Sequence, residues 1–408
     1  MQGYIYPNEY ELHWGLLVVL YPYLTGLVAG AFILASLARV FNVREVQPVY
    51  RLSLLTALAF LIAAPLPLLA HLGHPERSFE IFLTPNLRSA MAMFGFVYAW
   101  YLMVVLLLEI WFDYRKDLVL WSGGGSGPLA WFRRAITLGA TDLSDRSVRF
   151  DRAAGKLITI VGIPSAFLLH GYVGFIFGSV KANPWWSSVL MPVVFLFSAI
   201  VSGIALMLLL FMVTSLLRFK PVDMQCVDKL ASFLFYALIV DFSLEMLDFT
   251  QRLYEAEESI GILSQMLSSR LVLSLIVLQV LVGTVVPLLA LGTLAPTIRG
   301  TGLIRIPAEL RRLIYVIVAV LIEVGIFSTR WNVVIGGQLF SKSLRGLTTY
   351  KVELLGLEGI FTVMGILLLP FVILYVLVKV LPPWPEMESG AAAAAAPGEV
   401  GDAPVPAA

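Results

Sequence analysis

Three acidic residues interrupt an apolar stretch of the chain, LIVDFSLEMLDFTQRLY. Asp241, Glu245 and Asp248 have the spacing i, i+4 and i+7, which places them on one face of a helix. If this helix lies in a membrane, each ionised carboxylate near mid-bilayer costs on the order of 3 kcal/mol. We therefore expect at least one to be protonated or paired, and the group to carry protons or to line an aqueous cavity. The alternative is a structural ion pair with Arg270, Arg330 or another base.

Two more acids lie in apolar stretches. Glu323 stands in the eighth stretch, and we assign it to the same proton pathway as the three acids. Glu109 stands near the end of the third stretch, where a long side chain can reach the interface. We therefore give Glu109 a weaker claim to a functional role.

The four histidines fall toward one side of the apolar stretches. His13 opens the first stretch, His71 closes the second, His74 follows it, and His170 lies within the fourth. Histidine titrates nearest to neutral pH, so it suits proton exchange or hydrogen bonding to a carbonyl oxygen. Interfacial anchoring or packing is the alternative, and it is weakest for His170. His71 and His74 belong to HLGHPERSFEIFLTPNLRSAM, residues 71–91, which also contains two acids, two arginines and two prolines.

The composition identifies an integral membrane protein. Of 408 residues, 59% are hydrophobic and only 13% are charged, and the mean hydropathy is +0.88. Soluble domains carry about 25% charged residues. The apolar runs do not alternate as barrel strands do, and they have the roughly 20 residues that a helix needs to cross a bilayer.

We predict an all-α fold, a polytopic transmembrane helix bundle of about nine spans. The spans are placed at about 14–39, 50–72, 89–112, 154–178, 188–217, 230–251, 267–294, 309–329 and 359–381. The helical domain is expected to occupy residues 1–382, followed by a disordered tail rich in Ala and Pro at 383–408.

Lys and Arg residues orient the bundle, because they are retained on the cytoplasmic side. They concentrate in alternate loops, at Arg39–Arg51, Arg115–Lys156, Arg218–Lys229 and Arg299–Arg312. The N-terminus is then outside and the C-terminus cytoplasmic, although the cations at 330–358 oppose this orientation. The first residues contain no Lys or Arg, so they lack the basic region of a cleaved signal peptide, and we expect the first span to be permanent.

Charge and cysteine content exclude several kinds of partner. The formal net charge is +1 and no basic stripe is present outside short loops, so nothing indicates nucleic-acid binding. The lone Cys226 excludes an iron–sulfur or zinc site built from thiolates of this chain alone. We assign no metal ligands to this chain, so any metal cluster must belong to another subunit.

Four stretches together resemble a known family. They are WGLLVVLYPYLTGLVAG, HLGHPERSFEIFLTPNLRSAM, LLHGYVGFIFGSVKANPWWSS and RWNVVIGGQLFSKSLRGLTTY, in this order. The sequence up to Pro382 resembles the NrfD-like family of polysulfide reductase membrane subunits. RWNVVIGGQ and the extra helices are similar to the longer branch, which includes membrane subunits of quinone-linked hydrogenases, of the Dsr complex and of alternative complex III.

The resemblance implies a quinone-reactive membrane subunit of a respiratory oxidoreductase complex in the prokaryotic inner membrane. Such a subunit exchanges electrons between a membrane quinone (menaquinone or ubiquinone) and a ferredoxin-like iron–sulfur subunit. A molybdopterin catalytic subunit often lies beyond the iron–sulfur subunit. The membrane subunit carries no haem, is not a complete enzyme alone, and can couple turnover to proton translocation. The terminal substrate and the direction of electron flow depend on the other subunits.

The resemblance also implies the site. The family's quinone pocket lies near the outer face, between the start of the first helix, the end of the second and the fourth. By motif, Tyr21 and His170 hydrogen bond the quinone oxygens, and His71 or His74 exchanges protons. His13 and Arg77 complete the expected cofactor-binding set. The 71–91 corner closes the pocket and contacts the iron–sulfur partner.

Two other functions stay open. A haem b type anchor would use two histidines on facing helices, and His71 and His170 have a plausible depth. A secondary transporter would also contain buried acids and broken helices, but it should show inverted repeats, and none is evident.

Overall fold

The computed structural model describes residues 3–123, 127–255, 259–298, 300 and 306–384. Over these residues the protein is helical, and its only strand-like pairing is an isolated bridge between Phe340 and Leu347. The all-α prediction is confirmed. Residues 385–408 of the predicted tail, and Arg299 and 301–305 of the predicted inner loop, lie outside the described residues.

The described residues contain fourteen α-helices. They are α1 Leu16–Arg39, α2 Tyr50–Ala63, α3 Leu66–His71, α4 Glu80–Leu83, α5 Ala90–Trp100, α6 Leu107–Gly123, α7 Pro128–Ile136, α8 Asp145–Gly178, α9 Met191–Leu217, α10 Met224–Glu255, α11 Ile260–Ser269, α12 Val286–Ile298, α13 Ala308–Val334 and α14 Ile360–Val380. A π-helical stretch at Tyr101–Leu106 joins α5 to α6, and a longer one at Val272–Val285 leads into α12.

Eight helical segments of the described residues are long and apolar enough to cross a membrane. They are Leu16–Arg39, Arg44–His71, Ala90–Gly123, Asp145–Gly178, Met191–Leu217, Met224–Glu255, Val272–Ala295 and Ile360–Val380. The protein is therefore a multi-pass membrane protein. The segment predicted as a span at 309–329 forms the 27-residue helix α13. The count of nine and the orientation stay predictions.

Two sets of hydrogen bonds and ion pairs mark the two ends of the bundle. At the first, which we call the histidine end, Gln338 donates a hydrogen bond to the carbonyl oxygen of Trp14 (3.0 Å), and Tyr350 accepts one from the backbone of Leu16 (3.2 Å). At the second, the arginine end, Asp113 of α6 accepts from Arg39 (2.6 Å) and Arg51 (2.8 Å). The first end contains the start of α1 and the ends of α3, α8 and α13.

Helix α1 is the central element of the bundle, and nearly all its side chains are buried. It packs closely against α9 where Gly30 meets Gly203: a Cβ atom added at Gly30 would lie 2.1 Å from the carbonyl oxygen of Ala199. Because this approach needs two glycines, α1 is fixed against α9 along its length. The half of α1 near the histidine end presents side chains to α8, α13 and α5.

Candidate functional site

His170 of α8 lies in the centre of the bundle and is fully buried. Its Nε2 is 3.2 Å from a guanidinium nitrogen of Arg330, and its Nδ1 is 3.3 Å from Oγ1 of Thr25. An arginine can only donate, so Nε2 must accept and the proton of the neutral ring sits on Nδ1, facing Thr25. Thr25 in turn donates to the carbonyl oxygen of Tyr21 (3.1 Å). The imidazole is thus fixed in one tautomer between α1 and α13.

Arg330 is the partner of His170, and it is fully buried too. It donates to the hydroxyl of Ser198 (2.5 Å), and its guanidinium lies 4.2 Å from the ring centre of Phe195. Its Nε and Nη1 atoms have no hydrogen-bond partner in the described part of the protein. Asp241 and Glu245 interact with it electrostatically. A buried guanidinium needs such counter-charges, because an unpaired charge in the interior is costly.

Two of the three acids on α10 face this buried cation. Asp241 and Glu245 are only 3% and 7% exposed. Glu245 accepts from the amide of Gln279 (3.1 Å), whose oxygen accepts from Asn332 (2.7 Å). Oδ1 of Asp241 has no partner among the described residues. Polar groups therefore extend from α10 through the π-helical stretch to α13.

The other two acids of the expected proton pathway have different surroundings. Asp248 lies at the histidine end, where it accepts from Arg252 (2.9 Å) and from the Ser188 hydroxyl. Glu323 of α13 accepts from the hydroxyl of Tyr23 (2.7 Å). This pair lines an apolar cavity of about 610 Å³ between α1, the Val272–Val285 stretch, α13 and α14, which Arg270 also lines. The four acids thus do not form one row of contacts.

Tyr21 contacts α5. Its ring meets Phe94 edge to face, with centroids 5.6 Å apart, and Phe94 stacks on Tyr172 of α8. The nearby Tyr98 donates its hydroxyl to the carbonyl oxygen of Leu61 (2.6 Å). The Tyr21 hydroxyl is buried and has no partner among the described residues. It is therefore an unused hydrogen-bond donor in an aromatic setting.

His71 closes α3 beside the start of α1. Its Nδ1 lies 2.5 Å from a carboxylate oxygen of Glu358, in the loop before α14. Both side chains are partly exposed, at 23% and 37%. Tyr350 lies beside them, since Glu358 and Tyr350 both border Gly15. The pKa of the Tyr350 phenol is raised, mainly because the side chain is partly buried.

The remaining expected site residues lie on the surface. His74 pairs with Glu76 (2.9 Å) on an exposed turn. Arg77 donates two hydrogen bonds to Glu80 (2.8 and 2.9 Å), and these bonds lower the pKa of the Glu80 carboxyl. His13 lines a separate cavity of about 290 Å³ at the histidine end.

The expected residues therefore do not form one group. His170 is buried with Arg330, His71 pairs with Glu358 at the histidine end, and His74 is on the surface. Among the described residues, no group of three His, Cys, Asp or Glu side chains has an arrangement suited to a metal ion.

Sequence reasoning missed the partners rather than the site residues. No sequence pattern marks these partners, which are Glu358, Thr25 and Ser198. The role of each depends on a contact with a distant part of the chain. Tyr23 was overlooked for the same reason. Arg330 had a signal, a lone cation within an apolar run, and was considered only as a counter-ion for the α10 acids.

Comparison with known proteins identifies the family. Residues 6–342 match the family described as "Polysulphide reductase, NrfD". The protein is 38% identical over 206 residues to the C subunit of the selenate reductase of Mesobacillus selenatarsenatis, covering 48% of this chain and 47% of that one. It is 30% identical over 202 residues to a protein of Halobacterium salinarum named as a dimethyl sulfoxide reductase membrane subunit, covering 48% and 42% of the two chains.

A third relative is "Protein NrfD" of Escherichia coli, 26% identical over 202 residues, which cover 49% of this chain and 59% of that one. The matched region thus spans about half the length of these curated relatives. The family match is wider, since it includes α1 through the turn that follows α13. The protein, a multi-pass helical bundle, belongs to the polysulphide reductase NrfD family.

Proposed function

We propose that this protein is the quinone-reactive membrane subunit of a respiratory oxidoreductase complex. In this role it exchanges electrons between a membrane quinone (menaquinone or ubiquinone) and an external ferredoxin-like iron–sulfur subunit. A molybdopterin or other catalytic subunit lies beyond that partner. Family membership supports the proposal, as do relatives named as subunits of selenate and dimethyl sulfoxide reductases.

The unpaired hydroxyl of Tyr21 is the observation that carries the proposal. A buried donor without an acceptor costs roughly 1–3 kcal/mol, so such a group calls for a ligand. A quinone carbonyl oxygen is an acceptor, and the rings of Phe94 and Tyr172 suit the flat quinone ring. The residues present therefore fit a quinone, with Tyr21 holding one of its oxygens. Bound there, quinone would supply two-electron redox chemistry that no side chain of this protein provides.

Acid–base chemistry falls to His71 rather than to His74 in this proposal. The carboxylate of Glu358 accepts a hydrogen bond from Nδ1 of His71 and orients the ring, which leaves Nε2 to exchange a proton. His74 has a similar partner in Glu76 but lies on an exposed turn, where water is an equal proton donor. His71 is also close to the start of α1, which carries Tyr21.

His170 acts on the site through α1. Both its ring nitrogens have protein partners, and Thr25 links it to the Tyr21 backbone. It therefore holds the tyrosine segment in place, and it would have to leave Arg330 or Thr25 to ligate a haem iron. A haem b type anchor gains no support from this geometry.

Proton movement is a second part of the proposal. Asp241, Glu245 and Arg330 are buried together, with Gln279 and Asn332 extending the polar row toward the histidine end. A carboxylate beside a buried guanidinium can release and regain a proton as the cation's surroundings change. We assign Asp241 and Glu245 to a proton path, with Glu323 on a separate branch beside Tyr23.

The 71–91 corner offers a surface for the iron–sulfur partner. Phe79, Leu83 and Leu87 are 72%, 78% and 70% exposed. The Arg77–Glu80 ion pair lies among them, and a partner protein could form ion pairs or hydrogen bonds with these two side chains. Exposed apolar side chains rimmed by charges are typical of protein interfaces.

Binding of a quinol analogue to the purified protein tests the Tyr21 assignment. A fluorescent hydroxyquinoline N-oxide would report the dissociation constant by quenching. Tyr21→Phe should weaken binding about 5-fold, since the loss of one hydrogen bond costs about 1 kcal/mol. Tyr375→Phe is the matched control, because Tyr375 lies on the outside of α14 and is 65% exposed. Equal affinity of the wild type and Tyr21→Phe would remove Tyr21 from the site.

Purification of the native complex tests the partner assignment. We expect an iron–sulfur protein to copurify and the complex to oxidise or reduce a quinone analogue. A preparation that lacks such a partner and ignores quinol analogues would refute the proposed function.

A further inference from the structure

A large cationic cavity opens at the arginine end, away from the proposed quinone site. It has a volume of about 960 Å³ and lies between the end of α1, the start of α2, α6, α8 and the end of α9. Seven cationic side chains line it: Arg39, Arg44, Arg51, Arg152, Lys156, Arg218 and Lys220. This cavity has no place in the proposed quinone chemistry.

Two acids line the cavity beside these cations. They are Asp113 and Asp223. Asp113 is already shared between Arg39 (2.6 Å) and Arg51 (2.8 Å), and Asp223 accepts the backbone N–H of Gln225 (2.9 Å). Arg51 also pairs with Asp117 (2.7 Å), so the charge open to an anion comes from the exposed side chains of Arg44, Arg152 and Lys156.

Arg152 and Lys156 form the accessible part of this charge. They are four residues apart on one face of α8, and both are exposed. Neither forms an ion pair with another of the described residues. Their charges are thus available to a ligand at the mouth of the cavity.

The rim of the cavity is apolar and aromatic. Phe219 stands between two of the lining cations, is 96% exposed, and has a φ of +53°. A bulky residue rarely adopts this conformation, and here it ends α9 with a hydrogen bond from Lys220 N to Ser215 O (3.0 Å). Trp384 lies over Arg218, 4.0 Å from its guanidinium, and also lines the cavity. Aromatic rings beside cations are typical of the membrane–water interface.

We propose that this cavity binds the phosphate headgroup of an anionic phospholipid. Phosphate is the shared chemistry of lipid headgroups and of soluble phosphates, and clustered arginines recognise it through several donors. The apolar rim favours the lipid, because acyl chains can lie along Phe219 and the neighbouring helix surface while the headgroup enters the cavity. Basic pockets between helices on the cytoplasmic side bind headgroups of this kind. The proposal does not depend on the quinone function.

Native mass spectrometry of the full-length protein in detergent tests it. Phosphatidylglycerol should bind more tightly than phosphatidylcholine, and Arg152→Gln with Lys156→Gln should weaken phosphatidylglycerol binding roughly tenfold or more. Arg146→Gln with Arg149→Gln is the matched control: it removes the same charge from exposed positions of α8 that do not line the cavity. Arg44→Gln, an exposed lining residue, is a second variant that should also weaken binding.

Three results would overturn the proposal. One is equal binding of the two lipids. Another is an equal loss of binding in the control pair, which would show a general surface-charge effect. The third is displacement of the lipid by inorganic pyrophosphate at equal concentration, which would make a soluble phosphate the ligand. A melting temperature of the variants in phosphatidylcholine that equals the wild type's would confirm that they are folded.

Discussion

The Nε2 atom of His170 on α8 lies 3.2 Å from a guanidinium nitrogen of Arg330 on α13, and both side chains are fully buried. Two residues 160 positions apart thus meet in the middle of the bundle. Thr25 of α1 completes the contact from the other side of the ring. Three helices are held in register at this point, between the tyrosine segment of α1 and the acids of α10.

Replacement of His170 by Ala should abolish quinol-linked electron transfer and leave membrane assembly intact. The variant removes the acceptor for Arg330 and the group that fixes Thr25, so the Tyr21 segment loses its support. Loss of a hydrogen bond to a charged group costs about 1.5–3 kcal/mol, which lowers the melting temperature. Assembly is followed by size-exclusion chromatography and turnover with a quinol analogue. Normal turnover by this variant would exclude His170 from any role in the site.

Replacement of Glu358 by Gln should slow quinol-linked turnover roughly 100-fold, since a positioned acid or base contributes about 10²–10⁴-fold. The amide keeps the size of the side chain, but it replaces the charged acceptor that orients the His71 ring with a weaker, neutral one. Glu353→Gln, in the same loop, is the control. His74→Ala should stay within about twofold of the wild type, because His74 is exposed. If His74→Ala were slow and Glu358→Gln normal, proton exchange would belong to His74.

Replacement of Glu245 by Gln should reduce proton translocation more than electron transfer. The amide cannot carry a proton, but it can keep the hydrogen bond with Gln279. Proteoliposomes would report the pH change per electron transferred. Asp248→Asn is the comparison: Asp248 pairs with Arg252, so its loss should lower stability instead. An unchanged proton yield in Glu245→Gln would place the proton path elsewhere.

Replacement of Tyr23 by Phe should lower stability by about 1.5–3 kcal/mol and leave quinol-analogue affinity unchanged. The hydroxyl donates to the partly buried Glu323 (2.7 Å), and a hydrogen bond to a carboxylate has that typical strength. Thermal unfolding in detergent measures the first effect and analogue quenching the second. Weaker analogue binding would instead move the quinone to the cavity of about 610 Å³ that Tyr23 lines.

Replacement of Gly30 by Ala should destabilise the bundle by about 1–3 kcal/mol or more, since the new methyl would overlap α9. Gly365→Ala is the matched control on α14, where an added Cβ atom meets nothing within 4 Å. That variant should be neutral or slightly stabilising, because alanine is the better helix former. Equal melting temperatures of the two variants would mean that α1 and α9 do not pack at Gly30.

The helical fold could be predicted from the sequence because it depends on local composition. A run of about 20 apolar residues can cross a bilayer only as a helix or in a closed barrel, and these runs do not alternate. The span predicted at 14–39 and the helix Leu16–Arg39 nearly coincide, while the span predicted at 89–112 corresponds to the longer segment Ala90–Gly123. Helix ends beyond the apolar run depend on polar caps and loops, which hydropathy does not measure.

The titratable residues could also be predicted from the sequence. A histidine or a carboxylate within an apolar run costs free energy in the membrane, so such a residue is easy to recognise. The sequence alone therefore determined a membrane-spanning helical bundle with titratable groups inside it. Only the tertiary structure decided which of them meet: His170 with Arg330, His71 with Glu358, and Tyr21 with no hydroxyl partner among the described residues. The physical reason is that the two contacts join residues 160 and 287 positions apart, and their geometry depends on how the helices pack, which no local pattern specifies.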